Sequence, residues 1–180
     1  MSDSPHSPTR VPLRLWPGVS IAVLILVARF VLPALAPGMA TVGVLGGAVG
    51  ALLVLAWWLV FSRAPWVERL GAIGWMALAL LATRPLLHES IVGAGMGMLI
   101  YILAIPLMCV ALVASAVACR RLTGGLRHVS MAAALFFTCG GFTLVRTGGI
   151  NGEGGSDLHW RWTPTPEDRL LSRATPAPQA

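Results

Sequence analysis

Lysine is absent from this sequence of 180 residues, and acidic side chains are scarce, seven in all against thirteen arginines. Charged residues make up only 11% of the chain, 56% is hydrophobic and mean hydropathy is +0.77. A soluble domain of this size carries about 25% charge, so that class is excluded. The excess of positive charge, +6 with a pI of about 11.0, has the sign expected of a nucleic-acid-binding protein. Its distribution does not fit: the arginines are spread between apolar runs as topology markers and form no dense basic stripe. The lipid bilayer is the expected partner, and nucleic acid is not.

Other shortages remove classes of chemistry. Cys109, Cys119 and Cys139 are the only cysteines, all within or beside apolar runs, with no C-x-x-C pair and no nearby histidine to complete a metal set. They read as small buried hydrophobes, with thiol modification of Cys119 as a minor alternative because it lies nearest a membrane face. His88 and His128 fall at opposite ends of their runs and His6 and His159 in the tails, so no two histidines face each other across a haem. No acidic residue lies mid-run, which removes the usual element of a proton relay. Ser156, Asp157 and His159 are neighbours in a Gly-rich stretch and do not form a held catalytic set. The glycines sit in apolar runs, not in phosphate-binding loops. No catalytic, metal or cofactor residue is assigned to this chain, and enzymatic activity is left open.

What is present is an all-α integral membrane pattern: a bundle of five transmembrane helices followed by an extended C-terminal tail. Residues 1–17 are polar and Pro-rich and are expected to be cytoplasmic. The helical domain, 18–146, has apolar runs at about 19–35, 42–61, 70–87, 91–118 and 129–145. A run of about 20 residues at 1.5 Å each matches the ~30 Å hydrocarbon core. The first run resembles a signal peptide, with Ala34-Leu35-Ala36 as a cleavage tripeptide. Arg29 within the run and Pro37 after the cut argue that it is retained. In the second, Gly43 with Gly47 and Gly46 with Gly50 are small-xxx-small pairs that admit a close neighbour. Trp57 and Trp58 at its end predict an aromatic belt. Arg84-Pro85 is expected to end or kink the third run. Gly93, Gly95, Gly97 and Pro106 predict a tilted or kinked fourth helix, frayed at its start. Residues 147–180 form a Gly/Pro-rich tail.

The arginines fix the expected orientation. Arg10, Arg14, Arg63, Arg69, Arg120, Arg121 and Arg127 fall on one side, with Arg84 and Arg146 on the other. The positive-inside rule makes the first side cytoplasmic and leaves the tail outside, in the periplasm of a bacterial inner membrane.

Arg29 is the one charge well inside a run. Three roles are open to it: snorkelling to the interface, pairing with Glu89 in the connection between the third and fourth runs, or contact with a ligand such as a quinone. In the tail, Asn151, Glu153 and Asp157 are oxygen ligands whose spacing does not match a calcium loop, so a solvated loop is expected. Asp157, Trp160, Arg161 and Trp162 form a candidate outer-interface segment, either anchored in the headgroup region or docked on a following domain. Thr163-Pro164-Thr165-Pro166 must be extended.

Three stretches carry a family resemblance: Pro12-Leu13-Arg14-Leu15-Trp16-Pro17-Gly18, Phe61-Ser62-Arg63-Ala64-Pro65-Trp66 with Glu68-Arg69, and Trp160-Arg161-Trp162-Thr163-Pro164-Thr165-Pro166-Glu167. Together they resemble the N-terminal membrane region of bacterial PQQ-binding-like β-propeller repeat proteins. That region is similar to the five-helix anchor of membrane-bound quinoprotein dehydrogenases. The resemblance implies an anchor followed by a periplasmic propeller. Residues 168–180 hold no propeller blades, so no catalytic or PQQ-binding residue carries over. The leading expectation is an inner-membrane anchor that displays a periplasmic domain. The alternative is a quinone-binding membrane subunit that passes electrons from a periplasmic dehydrogenase.

Overall fold

The structure, a computed structural model, describes residues 15–122, 124–150, 155–165, 167 and 170. Helix α1 spans Trp16–Leu35 and α2 spans Ala40–Val60. Helix α3 spans Trp66–Thr83, α4 is the short Glu89–Gly93, α5 spans Leu99–Ala118 and α6 spans Gly124–Gly141. Strands β1, Val145–Ile150, and β2, Ser156–Trp160, pair antiparallel. The predicted spans locate the long helices, but the architecture is not all-α and the region after residue 146 is not simply an extended tail.

Four helical stretches, Trp16–Leu35, Ala40–Val60, Trp66–Leu86 and Leu99–Arg121, are long and apolar enough to cross a membrane. The fifth expected span, α6, has Arg127 and His128 near its start and is not among them. The bundle's outer surface is itself apolar: Leu24, Leu45, Leu52, Leu81 and Phe137 are all more than 60% exposed. Apolar contact area on that scale points to a membrane protein.

Helix α5 is the hub. Half of its most apolar window is buried, against 17% for α1, because it packs on α1, α2 and α6, while α3 closes against α6. Glycines set how near α1 and α2 approach. A Cβ at Gly43 would stand 2.6 Å from the Ala28 carbonyl oxygen, and one at Gly50 would collide with Ile25. Gly47 turns the other way, towards Pro106 of α5. The small-residue pairs thus work within the chain, bringing α2 close to α1 and to α5.

Within α1, Gly18, Ala22 and Ile25 are buried at helical spacing. The helix then widens to a π-turn over Val27–Val31, where the Leu32 N–H donates to the Val27 carbonyl. Pro33 supplies the cause, since it has no N–H for the Arg29 carbonyl and its ring crowds that carbonyl.

Trp57 and Trp58 correct the expected aromatic belt: they are 4% and 0% exposed. Gly18 makes this possible, because any side chain there would overlap the Trp57 ring. The exposed tryptophans at that end of the bundle are Trp16 and Trp66.

The expected fourth span, 91–118, is broken. Gly95, Met96 and Gly97 have φ of 57°, 55° and 81°, a left-handed turn that detaches α4 from α5. Helix α6 begins and ends earlier than the fifth apolar run: a 3-10 turn at Phe142–Leu144 leads into β1, where 129–145 was expected to be helical throughout.

Candidate functional site

The hairpin end of the bundle gathers most of the residues singled out from the sequence. Strand β1 is held from both sides. Its register with β2 pairs Val145 with Trp160, Arg146 with His159 and Thr147 with Leu158, then slips by one residue at Gly148. Gly148 lies against Asp157, and Gly149 takes φ of 137°, a backbone open to glycine. The Thr147 N–H donates to the Ser90 hydroxyl oxygen at 3.1 Å. Ser90 belongs to α4, whose N-cap is His88: the His88 Nδ1 accepts from the Ser90 N–H at 3.2 Å and lies 3.0 Å from its hydroxyl. A polar relay from His88 through Ser90 to Thr147 therefore seats the hairpin on the bundle.

The far side of the hairpin is tied as well. The Arg161 N–H donates to the Leu144 carbonyl at 2.9 Å, continuing the ladder past β2, and the Arg146 guanidinium donates to the Thr163 carbonyl. A turn closes as the Thr163 N–H reaches the Trp160 carbonyl. Trp160 and Trp162 then stack, ring centroids 5.1 Å apart and planes 11° from parallel, with both rings more than half exposed. Asp157 pairs with His159 at 3.0 Å on the exposed surface. The segment from Asp157 to Trp162 is thus part of a folded hairpin with an exposed aromatic pair at its base.

Loss of one hydroxyl tests the seating. Ser90→Ala leaves the Thr147 N–H without its partner in a residue only 8% exposed. We expect a cost of about 1–2 kcal/mol, felt locally as hairpin release. Hydrogen exchange at Thr147 should accelerate at least about tenfold while exchange in α5 stays unchanged. Uniform acceleration across both would show that the hairpin is not a separate unit.

Arg29 and Glu89 are not brought together. Glu89 is exposed at the start of α4, and the ion pairs among the described residues are Glu68–Arg127 and Asp157–His159. Arg29 continues the buried stripe Gly18, Ala22, Ile25 of α1, and its Cδ lies near Gly47 of α2, which itself faces Pro106 of α5. Asn151 and Glu153, weighed with Asp157 as cation ligands, lie outside the described residues. Among the described residues no three His, Cys, Asp or Glu side chains converge as a metal set.

The opposite end holds an arrangement that sequence reading missed. Glu68, in the first turn of α3, meets Arg127 of α6 at 3.1 Å, with side chains 12% and 16% exposed. Arg69 donates from Nε to the Ala64 carbonyl at 2.7 Å and from Nη1 to the Leu59 carbonyl, and stacks 5.1 Å over Trp66. Leu59 lies in the last turn of α2, so this bond satisfies a carbonyl that the helix end leaves open. Ser62 donates to the Trp58 carbonyl at 2.6 Å, and Arg63 takes φ of 54° to reverse the chain. The motif Phe61 to Arg69 is therefore a built corner. Its charges counted as topology markers, which hid their structural work; the signal available was an acid and an arginine, Glu68 and Arg127, at the starts of two neighbouring helices.

No protein-family model matches this sequence, and comparison with curated proteins and with solved structures gives no match either.

Proposed function

We propose that the chain is a membrane anchor whose hairpin end presents a domain on the far side of a bacterial inner membrane. The seating of the hairpin carries this reading. The Thr147 N–H bond to Ser90 seats the hairpin on the bundle, and the β1–β2 ladder, continued by Arg161 and joined by Arg146 on Thr163, closes the hairpin on itself where the chain leaves the bundle. Such fixing orients what is attached beyond Pro164, in a way a loose tether does not. The arginine distribution supports the orientation: Arg63, Arg69, Arg120, Arg121 and Arg127 are at the end opposite the hairpin, with Arg84, Arg146 and Arg161 at the hairpin end. The resemblance of the three sequence stretches makes a PQQ-like β-propeller the domain displayed.

Alkaline phosphatase fused after Ala180 should be active in cells, and a fluorescent protein that matures only in the cytoplasm should be dark at the same position. The reverse pattern would overturn the orientation and the display function with it. The propeller is tested separately by reading the DNA just downstream, where blade-like repeats in frame or in the adjacent gene are expected. Their absence would remove the propeller from the proposal.

A further inference from the structure

Arg29 is the only charged residue of α1, and it is half-buried. It continues the face of Gly18, Ala22 and Ile25, all of them buried, and its aliphatic stem runs along Gly47 where α2 meets Pro106 of α5. Its guanidinium has five N–H donors, yet no hydrogen bond or ion pair reaches it from the described residues. The helices packed around it offer no carboxylate at this level: α1 and α2 have none, and α5 has none. Two prolines surround the site, Pro33 widening α1 and Pro106 within α5.

We infer that Arg29 binds the phosphate of an anionic phospholipid lying against α1 where it packs on α2. A guanidinium keeps its charge in any protein environment, so a neutral acceptor such as a quinone carbonyl would leave that charge uncompensated. A phosphodiester both neutralises it and accepts two parallel N–H bonds. Arg29 lies six residues before Leu35, about 9 Å along the helix from its hairpin end, a depth from which snorkelling and local thinning of the bilayer bring a guanidinium and a headgroup phosphate together. This inference rests on membrane insertion alone and does not depend on which domain the hairpin displays.

The full chain, purified in mild detergent, delipidated and titrated with phosphatidylglycerol, gives the test by native mass spectrometry. Wild type should retain one phosphatidylglycerol, Arg29→Met should lower its occupancy at least about tenfold, and Arg29→Lys should fall between them. Should Arg29→Met fail to fold, Gly47→Leu, which fills the path of the arginine stem, should lower occupancy alike. Inorganic phosphate at millimolar concentration should not displace the lipid. Equal occupancy in wild type and variants, displacement by phosphate alone, or ubiquinone retained in place of the lipid would each overturn the inference. A reversed phosphatase result would sink the display function and leave this one standing.

Discussion

Replacing Arg127 with alanine is expected to destabilise the bundle by about 2–3 kcal/mol, close to the cost of stranding one member of a buried ion pair. Glu68 Oε2 and Arg127 Nη2 are buried and have no hydrogen-bond partner among the described residues, so the 3.1 Å contact between them is their compensation. The two residues also stand differently towards their own helices. An acid in the first turn of α3 is favoured by the partial positive charge of the helix start, whereas Arg127 near the start of α6 is disfavoured. Glu68 is therefore what makes Arg127 tolerable. Thermal unfolding in detergent of Glu68→Gln, Arg127→Ala and the double variant measures the coupling. We expect a coupling of at least about 1 kcal/mol, and the double variant should be less damaged than the sum of the singles. Strict additivity would mean that solvent or lipid already compensates both charges.

A larger loss is expected from Gly43→Val. The atom that a new Cβ would meet is the Ala28 carbonyl oxygen, at 2.6 Å, and backbone cannot step aside as a side-chain tip can. Pro33 closes the other side at 3.1 Å. The helices α1 and α2 must then separate, which exposes packed surface and disturbs the π-turn that faces this glycine. The cost should be about 3 kcal/mol or more, at the upper end of overpacking effects. Gly71→Val is the matched control, because nothing lies within 4 Å of its Cβ position. Its change in unfolding temperature should be small. Equal effects at Gly43 and Gly71 would show that helix propensity, and not the approach of α1, sets the requirement for glycine.

Much of the helical framework was legible in the sequence, because apolar runs of membrane length report on their solvent whatever their neighbours do. The starts of α1 and α2 lie within three residues of the expected ones. The third helix begins at Trp66 and not near Leu70, since Glu68 and Arg69, charges that resemble a loop, are neutralised by Arg127 and by carbonyls of the preceding corner. Gly95 and Gly97 were visible as weak points, but only left-handed backbone at Met96 between them converts fraying into a break.

The hairpin was the main omission. Val145 to Ile150 was divided between a helix end and a tail, although Asn151-Gly152 follows it and Leu158, Trp160 and Trp162 alternate with polar residues beyond. Two-residue periodicity over five or six positions is a faint signal beside twenty apolar ones. The partner that stabilises the strands, Ser90, is 57 residues distant from Thr147 and has no local signature. Trp57 and Trp58 failed in the opposite sense: their position at a helix end implied an interface, and the missing side chain of Gly18 was the feature that drew Trp57 inside.

The modest apolarity of α6 has a consequence for biogenesis. A segment whose apolarity is lowered by Arg127 and His128 is a poorer substrate for insertion by itself than α1, α2, α3 and α5, which meet the length and apolarity required. On the membrane reading, α6 is a passenger: it settles only after α3 offers Glu68 and α5 offers the face of Met108 that Cys139 covers. The hairpin, attached directly after α6, would then be the final piece to lock, and its closure would report that the whole bundle has been assembled.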